Sequence, residues 1–489
     1  MMEDKTFLAV DLGATSGRTV LATYDGCRIT MREFTRFENP MIPVGKHLFW
    51  DIAGLYLEVL KALRQVAREG LHIHSLGIDT WGVDFACFAA DGTLLGMPYC
   101  YRDAHTEGAP EEFYRQLPAE ELYGRTGIQI MDFNTLFQLY RLHGCDAVVL
   151  READKLLFMP DALSYMLSGV PVTERTVAST SQLLRAGDAF DPLLLDRVGV
   201  RASQLAPLVE PGTVVGRLTQ AVQVYTGLTD VPVVAVAGHD TASAVLSVPA
   251  QDAHYAYLSC GTWSLLGVET ERPVISERSY AYNFTNEAGI DGTTRFLKNI
   301  CGLWLFERCR AEWRDVPTDV NALNALCGQS TYDGLIYPDA PCFAHPSSMT
   351  AAITDYCRRS GQPVPQAPSD YVRCIFRSLA LRYRQVTGML QELTGVEVRR
   401  IHAIGGGSLN AHLMQYAADA TGVEVVCGPA EGTALGNVLM QLRAMDALDS
   451  RDAMRRVAVS SVQTVHYTPC GSEKWEEAYA RFLSLPTSL

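Results

Sequence analysis

Asp11 ends an apolar, strand-type run at residues 6–12. It stands two residues before a turn of small residues, Gly13, Ala14, Thr15, Ser16 and Gly17, after which Arg18 opens a second strand-type run. A phosphate approaching such a turn meets backbone N–H groups with little side chain in the way, and a carboxylate at its edge can orient Mg2+ or the waters of Mg2+. The same spacing also describes a hairpin whose aspartate hydrogen-bonds its own backbone. A second turn, Gly261 and Thr262, joins runs at residues 255–259 and 263–268 and offers the same choice. Together the two turns suit one phosphate chain approached from two sides.

Asp240 follows a buried-type run at residues 231–237 and precedes a helix expected from Thr241 to residue 248. Ligands of open α/β sheets collect at the carboxyl ends of strands, where a carboxylate can meet a substrate hydroxyl. The competing role is an N-cap for that helix. His239 beside it either contacts the substrate or packs. Trp81, Asp84, Arg102 and Asp103 have the makings of a polyol pocket, an aromatic face with paired polar groups. Gly405, Gly406 and Gly407, after one strand and before a helix, suit close approach of a flat ligand to backbone, or simply a tight turn.

The elements that must position these residues alternate between strand and helix. Apolar residues at Ile52, Leu55, Val59, Leu63 and Val66 mark one face of a helix over residues 51–70, with Asp51 as N-cap and Gly70 as stop. A short strand covers 75–80, a long amphipathic helix 371–393, strands 399–404 and 423–426, and a helix 431–445. The second half opens as the first does, with a hairpin tipped by small and hydroxyl residues. Two related α/β halves follow, residues 1–247 and 248–489, with a boundary near residues 247–252.

Composition narrows the function classes. The chain has 489 residues and a net charge of −14 with no basic block, which disfavours a nucleic-acid partner. Bound phosphates must therefore be held by local loops or a metal. No apolar run approaches the ~20 residues of a membrane span, and the acidic start does not read as a signal peptide, so a cytoplasmic location is expected. Thirteen cysteines without a Cys-x-x-Cys pair point to free thiols, with the pairing of Cys357 and Cys374 left open. P-loop, dinucleotide-binding, zinc-protease and nucleophile-elbow motifs are absent.

Longer motifs carry a resemblance. The segments VDLGATSGR from Val10, GIDTWGVDF from Gly77, MPDALSYMLSG from Met159, GHDTASAV from Gly238, SCGTWSLLG from Ser259, LKNICGLWLFER from Leu297 and IGGGSLN from Ile404 resemble the FGGY carbohydrate kinases of the actin/hexokinase/heat-shock ATPase superfamily. The resemblance implies two RNase H-like domains around a central cleft, with MgATP and a sugar as substrates. The Trp81 and Asn299 segments point within the family to L-rhamnulose rather than xylulose or glycerol. Carried over by position, Ala14, Thr15, Ser16, Gly17 and Arg18 form the first phosphate loop and Gly261 with Thr262 the second. Glu307, Gly405, Gly406, Gly407 and Asn410 lie at the nucleotide, Gly82, His239, Thr241 and Asn299 at the sugar, and Asp240 is the general base. Asp11 serves Mg2+, through water where needed. His105, Cys260 and Glu307 depart from the family pattern of Arg, Ser and Gln. The rival expectations are a kinase of fuculose or xylulose, and an actin-like or heat-shock-like ATPase.

Overall fold

Every second residue of the run at 6–12 has a partner to pack against on each face, so it forms a strand buried on both sides, β1 (Lys5–Leu12). In the computed structural model, which describes residues 4–314, 316, 320–344 and 346–488, β1 pairs antiparallel with β2 (Ser16–Tyr24), and β2 with β3 (Ile29–Glu38). On its other edge β1 runs parallel to β4 (Ser75–Thr80). With β5 (Thr213–Arg217) and β6 (Pro232–Ala235), the sheet order is β5-β6-β4-β1-β2-β3. The β1–β4 register sets Asp11 beside Asp79 and Leu12 beside Thr80. Both carboxylates thus come to the carboxyl edge of neighbouring parallel strands.

The expected helix forms over Ile52–Arg68. The Asp51 carboxylate caps it by accepting from the Gly54 N–H at 2.9 Å, and Ile52, Leu55, Val59, Leu63 and Val66 are its buried stripe. These residues join Leu8, Val10, Leu76 and Ile78 of the sheet in one core cluster. At about 25 cal/mol per Å2 of apolar surface removed from water, such burial is what holds the sheet edge rigid beneath the carboxylates.

By contact density the chain divides into two units, residues 1–247, 269–296 and 432–461 in the first, and residues 248–268, 297–431 and 462–489 in the second. The second half contributes β7 (Tyr255–Cys260), β8 (Trp263–Thr270), β9 (Thr285–Ala288), β10 (Thr294–Cys301), β11 (Arg400–Ile404), β12 (Glu424–Cys427) and β13 (Val465–Tyr467). In the second unit β7 is antiparallel to β8 and parallel to β11, which is parallel to β12, and β13 closes the series antiparallel. This repeats the first unit's succession of hairpin, two parallel strands and one antiparallel strand. The long helix runs over Pro368–Thr394. Among the described residues no helix is long and apolar enough to cross a membrane.

Within the first unit, the helix Gly432–Ala444 crosses the helix Asp240–Leu246 at Gly436. A Cβ there would fall 1.8 Å from the Ser243 carbonyl oxygen, a backbone atom that cannot step aside. Gly436→Ala is therefore expected to destabilise the protein by about 1–3 kcal/mol. Its thermal midpoint should fall and its activity with it; an unchanged midpoint would show that the helices slide apart freely.

Candidate active site

Three carboxylates gather at the carboxyl edge of the first unit's sheet. Asp11 is the penultimate residue of β1, and its Oδ2 takes two donors from the Arg18 guanidinium, Nε at 2.9 Å and Nη2 at 2.7 Å. Asp79, one strand over, is fully buried. Its Oδ2 accepts from the Asn437 side-chain N–H at 2.6 Å, while Oδ1 has no partner. Burial, followed by the charges of Asp11 and Asp240, pushes the Asp79 carboxyl well above the usual range, against the pull of Asn437.

Asp240 is the third. The helix that follows it is Asp240–Leu246, so Asp240 is the first helical residue and the cap position falls to His239, whose side chain caps nothing. Asp240 is thus freed from the capping role. Its Oδ1 accepts from the Thr241 N–H at 2.6 Å and the Thr241 hydroxyl at 3.2 Å, and lies 3.4 Å from His239 Nε2. Oδ2 has no hydrogen bond among the described residues, and the side chain is 32% exposed. One oxygen is tied and the other is free. Burial raises the carboxyl above its ordinary range; the His239 ring and the Thr241 donors work against this and the Asp11 charge works with it.

The backbone before Asp240 is clamped. Glu174, buried, accepts from the N–H groups of Thr176, Val177 and Gly238 at 2.7, 3.1 and 2.9 Å and from the Thr176 hydroxyl at 2.6 Å. Thr176 Oγ1 in turn accepts from the His239 N–H at 3.2 Å. The Thr80 N–H donates to the Gly238 carbonyl at 2.9 Å, which brings the Thr80, Trp81 and Gly82 segment alongside His239. Gly82 owes its identity to Thr180, whose hydroxyl would meet a Cβ at 2.8 Å.

At the first turn, Gly13 donates to the Ser16 carbonyl and Asn39 braces both Gly13 and Thr15. The Ala14 and Thr15 N–H groups have no acceptor among the described residues, which makes the tip a small anion nest. Gly17 lies within β2, where a Cβ would strike the Phe37 ring at 2.3 Å, so packing rather than phosphate approach requires that glycine.

In the second unit, Thr262 is exposed at the tip between β7 and β8. The carbonyls of Gly261 and Thr262 accept from the N–H groups of Leu303 and Trp304 at 3.0 and 3.1 Å. Glu307 pairs with Arg310, so the charge introduced by this departure is neutralised locally. Gly405 takes φ +83°, a conformation that favours glycine, and Gly407 packs directly on the Cys260 sulfur; only Gly406 faces open space. Asn410 spends its side-chain oxygen capping the helix Ala411–Thr421, accepting from Leu413 N–H at 3.1 Å. Cys260 is buried and its thiol is pushed up to about 11, so it stays neutral. Asn299 lies half-buried on β10 in the second unit.

Of the four residues expected to make a polyol pocket, the two carboxylates are already engaged within the protein. Asp84 Oδ2 accepts from the indole N–H groups of Trp50 at 2.6 Å and Trp81 at 2.9 Å and from the Tyr101 N–H at 3.1 Å, while Oδ1 accepts from Gln138 at 2.8 Å. Asp103 is occupied by Leu48 N–H, His105 N–H and the rings of His47 and His105. Both are supports, and the His105 departure is absorbed by Asp103. Cys357 and Cys374 are free buried thiols, and Cys357 Sγ accepts from the Tyr332 hydroxyl at 3.4 Å.

Sequence reasoning passed over Asp79, Glu174, Glu287, Arg295 and Asn437. For Asp79 a signal existed: a lone carboxylate at the end of an apolar strand, as at Asp11. Each of the others makes at least one contact, or shares a pair, with a segment far away in the sequence: Glu174 with Gly238, Glu287 and Arg295 with His239, and Asn437 with Asp79. Among the described residues no three His, Cys, Asp or Glu side chains stand in a metal-holding group. Asp11 and Asp79 nonetheless fit a hard divalent cation held partly through water, with the orphaned Asp79 Oδ1 and the mutual repulsion of the two groups as the grounds.

Residues 6–247 match the N-terminal domain, and residues 256–445 the C-terminal domain, of the FGGY family of carbohydrate kinases. The chain is 50% identical to a rhamnulokinase of Bacteroides thetaiotaomicron, over 98% of this chain and 99% of the relative. It is 42% identical to a rhamnulokinase of Pectobacterium carotovorum, over 99% and 97%. In fold it is similar to a ligand-bound xylulose kinase of Lactobacillus acidophilus, with TM-score 0.82 and 15% identity over 98% and 97% of the two chains. A Plasmodium falciparum glycerol kinase with ADP follows, with TM-score 0.79 and 14% identity over 98% and 97%.

Proposed function

The chain belongs to the FGGY family of carbohydrate kinases, and from that premise we propose that it phosphorylates L-rhamnulose at its primary hydroxyl, giving L-rhamnulose 1-phosphate and ADP in the cytoplasm. The sugar is taken from its relatives at 42–50% identity. The observation that carries the reaction is the Asp240 carboxylate, with Oδ1 tied to Thr241 and Oδ2 free at a partly exposed surface.

The acceptor oxygen bonds to the γ-phosphorus as the bond from that phosphorus to the ADP oxygen breaks. The hydroxyl proton passes to Asp240 Oδ2. In a loose transition state the attacking oxygen is only slightly bonded, so alignment matters more than early deprotonation, and a carboxylate is a strong enough base. Tying Oδ1 fixes the direction in which Oδ2 points. His239, Thr241, Gly82 and Asn299 hold the sugar. Ala14, Thr15, Ser16, Gly17 and Arg18, together with Thr262, Glu307, Gly405, Gly406, Gly407 and Asn410, serve the nucleotide. The free N–H groups of Ala14 and Thr15 meet phosphate oxygens and spread the charge of the transferring group. Asp11 and Asp79 would hold Mg2+ through water, which supplies neutralisation of phosphate charge when bound.

The test is coupled ADP release against L-rhamnulose, L-fuculose, D-xylulose and glycerol, with a blank lacking sugar. L-rhamnulose should give the highest kcat/KM, and the blank should be near zero. Preference for another ketose would reassign the substrate. Equal turnover in the blank would make the protein an ATPase.

A further inference from the structure

His239 is held from both sides. On one side its Nε2 lies 3.4 Å from Asp240 Oδ1. On the other, Nδ1 lies 3.3 Å from Glu287 Oε2 and 3.2 Å from Arg295 Nη2, which are themselves 3.1 Å apart. Glu287 comes from β9 and Arg295 from β10, both within the first unit. Arg295 is 1% exposed and Glu287 is buried, and the guanidinium is anchored from behind by Nε donating to the Ala288 carbonyl at 3.0 Å. Removing one partner of an ion pair this deep would leave the other charge buried and uncompensated.

The arrangement constrains the imidazole. A bare Nδ1 accepts from Arg295 Nη2 at 3.2 Å, with Glu287 Oε2 at ion-pair distance from both groups but making no hydrogen bond to either. The Arg295 donor thus favours the ring state in which the proton sits on Nε2. A neutral ring with the proton only on Nδ1 would turn a lone pair toward the Asp240 carboxylate, and is disfavoured whenever Asp240 is ionised. Every remaining state has an Nε2–H facing Asp240 Oδ1. That N–H, 3.4 Å away, sets a positive edge beside the two Thr241 hydrogen bonds to Oδ1 and leaves Oδ2 as the oxygen open to substrate.

We propose that Glu287, paired with Arg295, is a positioning residue for phosphoryl transfer, holding the Arg295 guanidinium against His239 Nδ1 so that the ring turns its Nε2–H toward Asp240 Oδ1 and Oδ2 is left for the acceptor hydroxyl. The proposal rests on the reading of Asp240 as base. Burial alone would raise the Glu287 carboxyl, but the Arg295 charge and the His239 contact overcome it and hold it below its ordinary range, consistent with a fixed anion at this point. A purely structural role is the rival, in which Glu287 only neutralises the buried Arg295.

Glu287→Asp separates the two. It keeps the counter-charge for Arg295 but withdraws the carboxylate by one methylene, about 1.5 Å, from Nδ1. Kinetics at saturating sugar are compared for the wild type, Glu287→Asp, Glu287→Gln, His239→Ala and the Glu287→Asp/His239→Ala double variant. The expected result is a kcat loss of about tenfold or more in Glu287→Asp, with the KM for ATP within about twofold of wild type. In the His239→Ala background the same change should cost less than about twofold, since the group it positions is gone. Wild-type kcat in Glu287→Asp, or an equal cost in both backgrounds, would overturn the proposal. Glu287→Gln removes the charge, and should its protein fail to fold, the Glu287→Asp cycle still decides. Asp240→Asn in the same series keeps the two readings apart: activity near wild type there removes the base itself, whereas an inactive Asp240→Asn with additive Glu287 and His239 effects removes only the positioning role.

Discussion

Asp240→Asn is expected to lower kcat by roughly a hundredfold or more, with the KM for ATP nearly unchanged. The amide keeps the size of the side chain and an oxygen for the Thr241 donors, so the helix start and the fold survive. What is lost is the anionic Oδ2 proposed to take the hydroxyl proton. The pH dependence follows with a definite sign. Burial raises the Asp240 carboxyl above its ordinary range, and a base works only when ionised. Wild-type kcat/KM should therefore fall as the pH drops through that raised value, at a higher pH than an exposed aspartate would give, and the variant's residual rate should lack this acid limb. A variant within a fewfold of wild type, or with the same acid limb, would reject Asp240 as the base.

Asp79→Asn is expected to act in opposite directions on stability and function. In the folded protein the Asp79 carboxyl is raised well above its usual range by burial and by the neighbouring charges of Asp11 and Asp240. Such a group is easier to ionise unfolded than folded. It therefore lowers stability at neutral pH, and the penalty fades as pH falls below the folded value and on toward the unfolded one. Asparagine removes the penalty, keeps a contact for Asn437 and can donate to Asp11. The thermal midpoint of the metal-free variant at neutral pH should rise by about 2 °C or more. The Mg2+ concentration for half-maximal activity should rise about tenfold if Asp79 has the proposed metal role, because one of the two carboxylates would be exchanged for a neutral group. A lower midpoint would show that the ionised carboxylate is a net structural asset. An unchanged metal titration would take Asp79 out of the metal site.

Local pattern was enough for much of the scaffold. The stripe at Ile52, Leu55, Val59, Leu63 and Val66 is the buried face of its helix, and Asp51 caps it, because a 3.6-residue period and a side-chain cap are properties of a few adjacent residues. The strand at 75–80 and the hairpins opening each half were legible for the same reason. The candidate site was legible only as a set of alternatives. Asp240 read equally as base or N-cap until the helix began one residue early, at Asp240 itself. Asp84 read as a sugar ligand until two tryptophans, a backbone N–H and Gln138 filled its oxygens. The three glycines at 405–407 read alike, yet Gly407 is fixed by Cys260, Gly405 by its backbone angle, and only Gly406 has open space before it.

The element types, the two-fold repetition of an α/β plan, the family and the identity of the residues at the turn tips were all legible in advance, since they are written in short-range periodicity and contiguous motifs. Tertiary structure alone decided which polar groups are already satisfied and which are left over. Strand register set Asp79 beside Asp11, and β9 and β10 brought Glu287 and Arg295 to His239. A hydrogen bond links atoms and not positions in the chain, so whether a carboxylate oxygen is spent on structure or kept for a substrate depends on segments far away in the sequence, which only folding brings together.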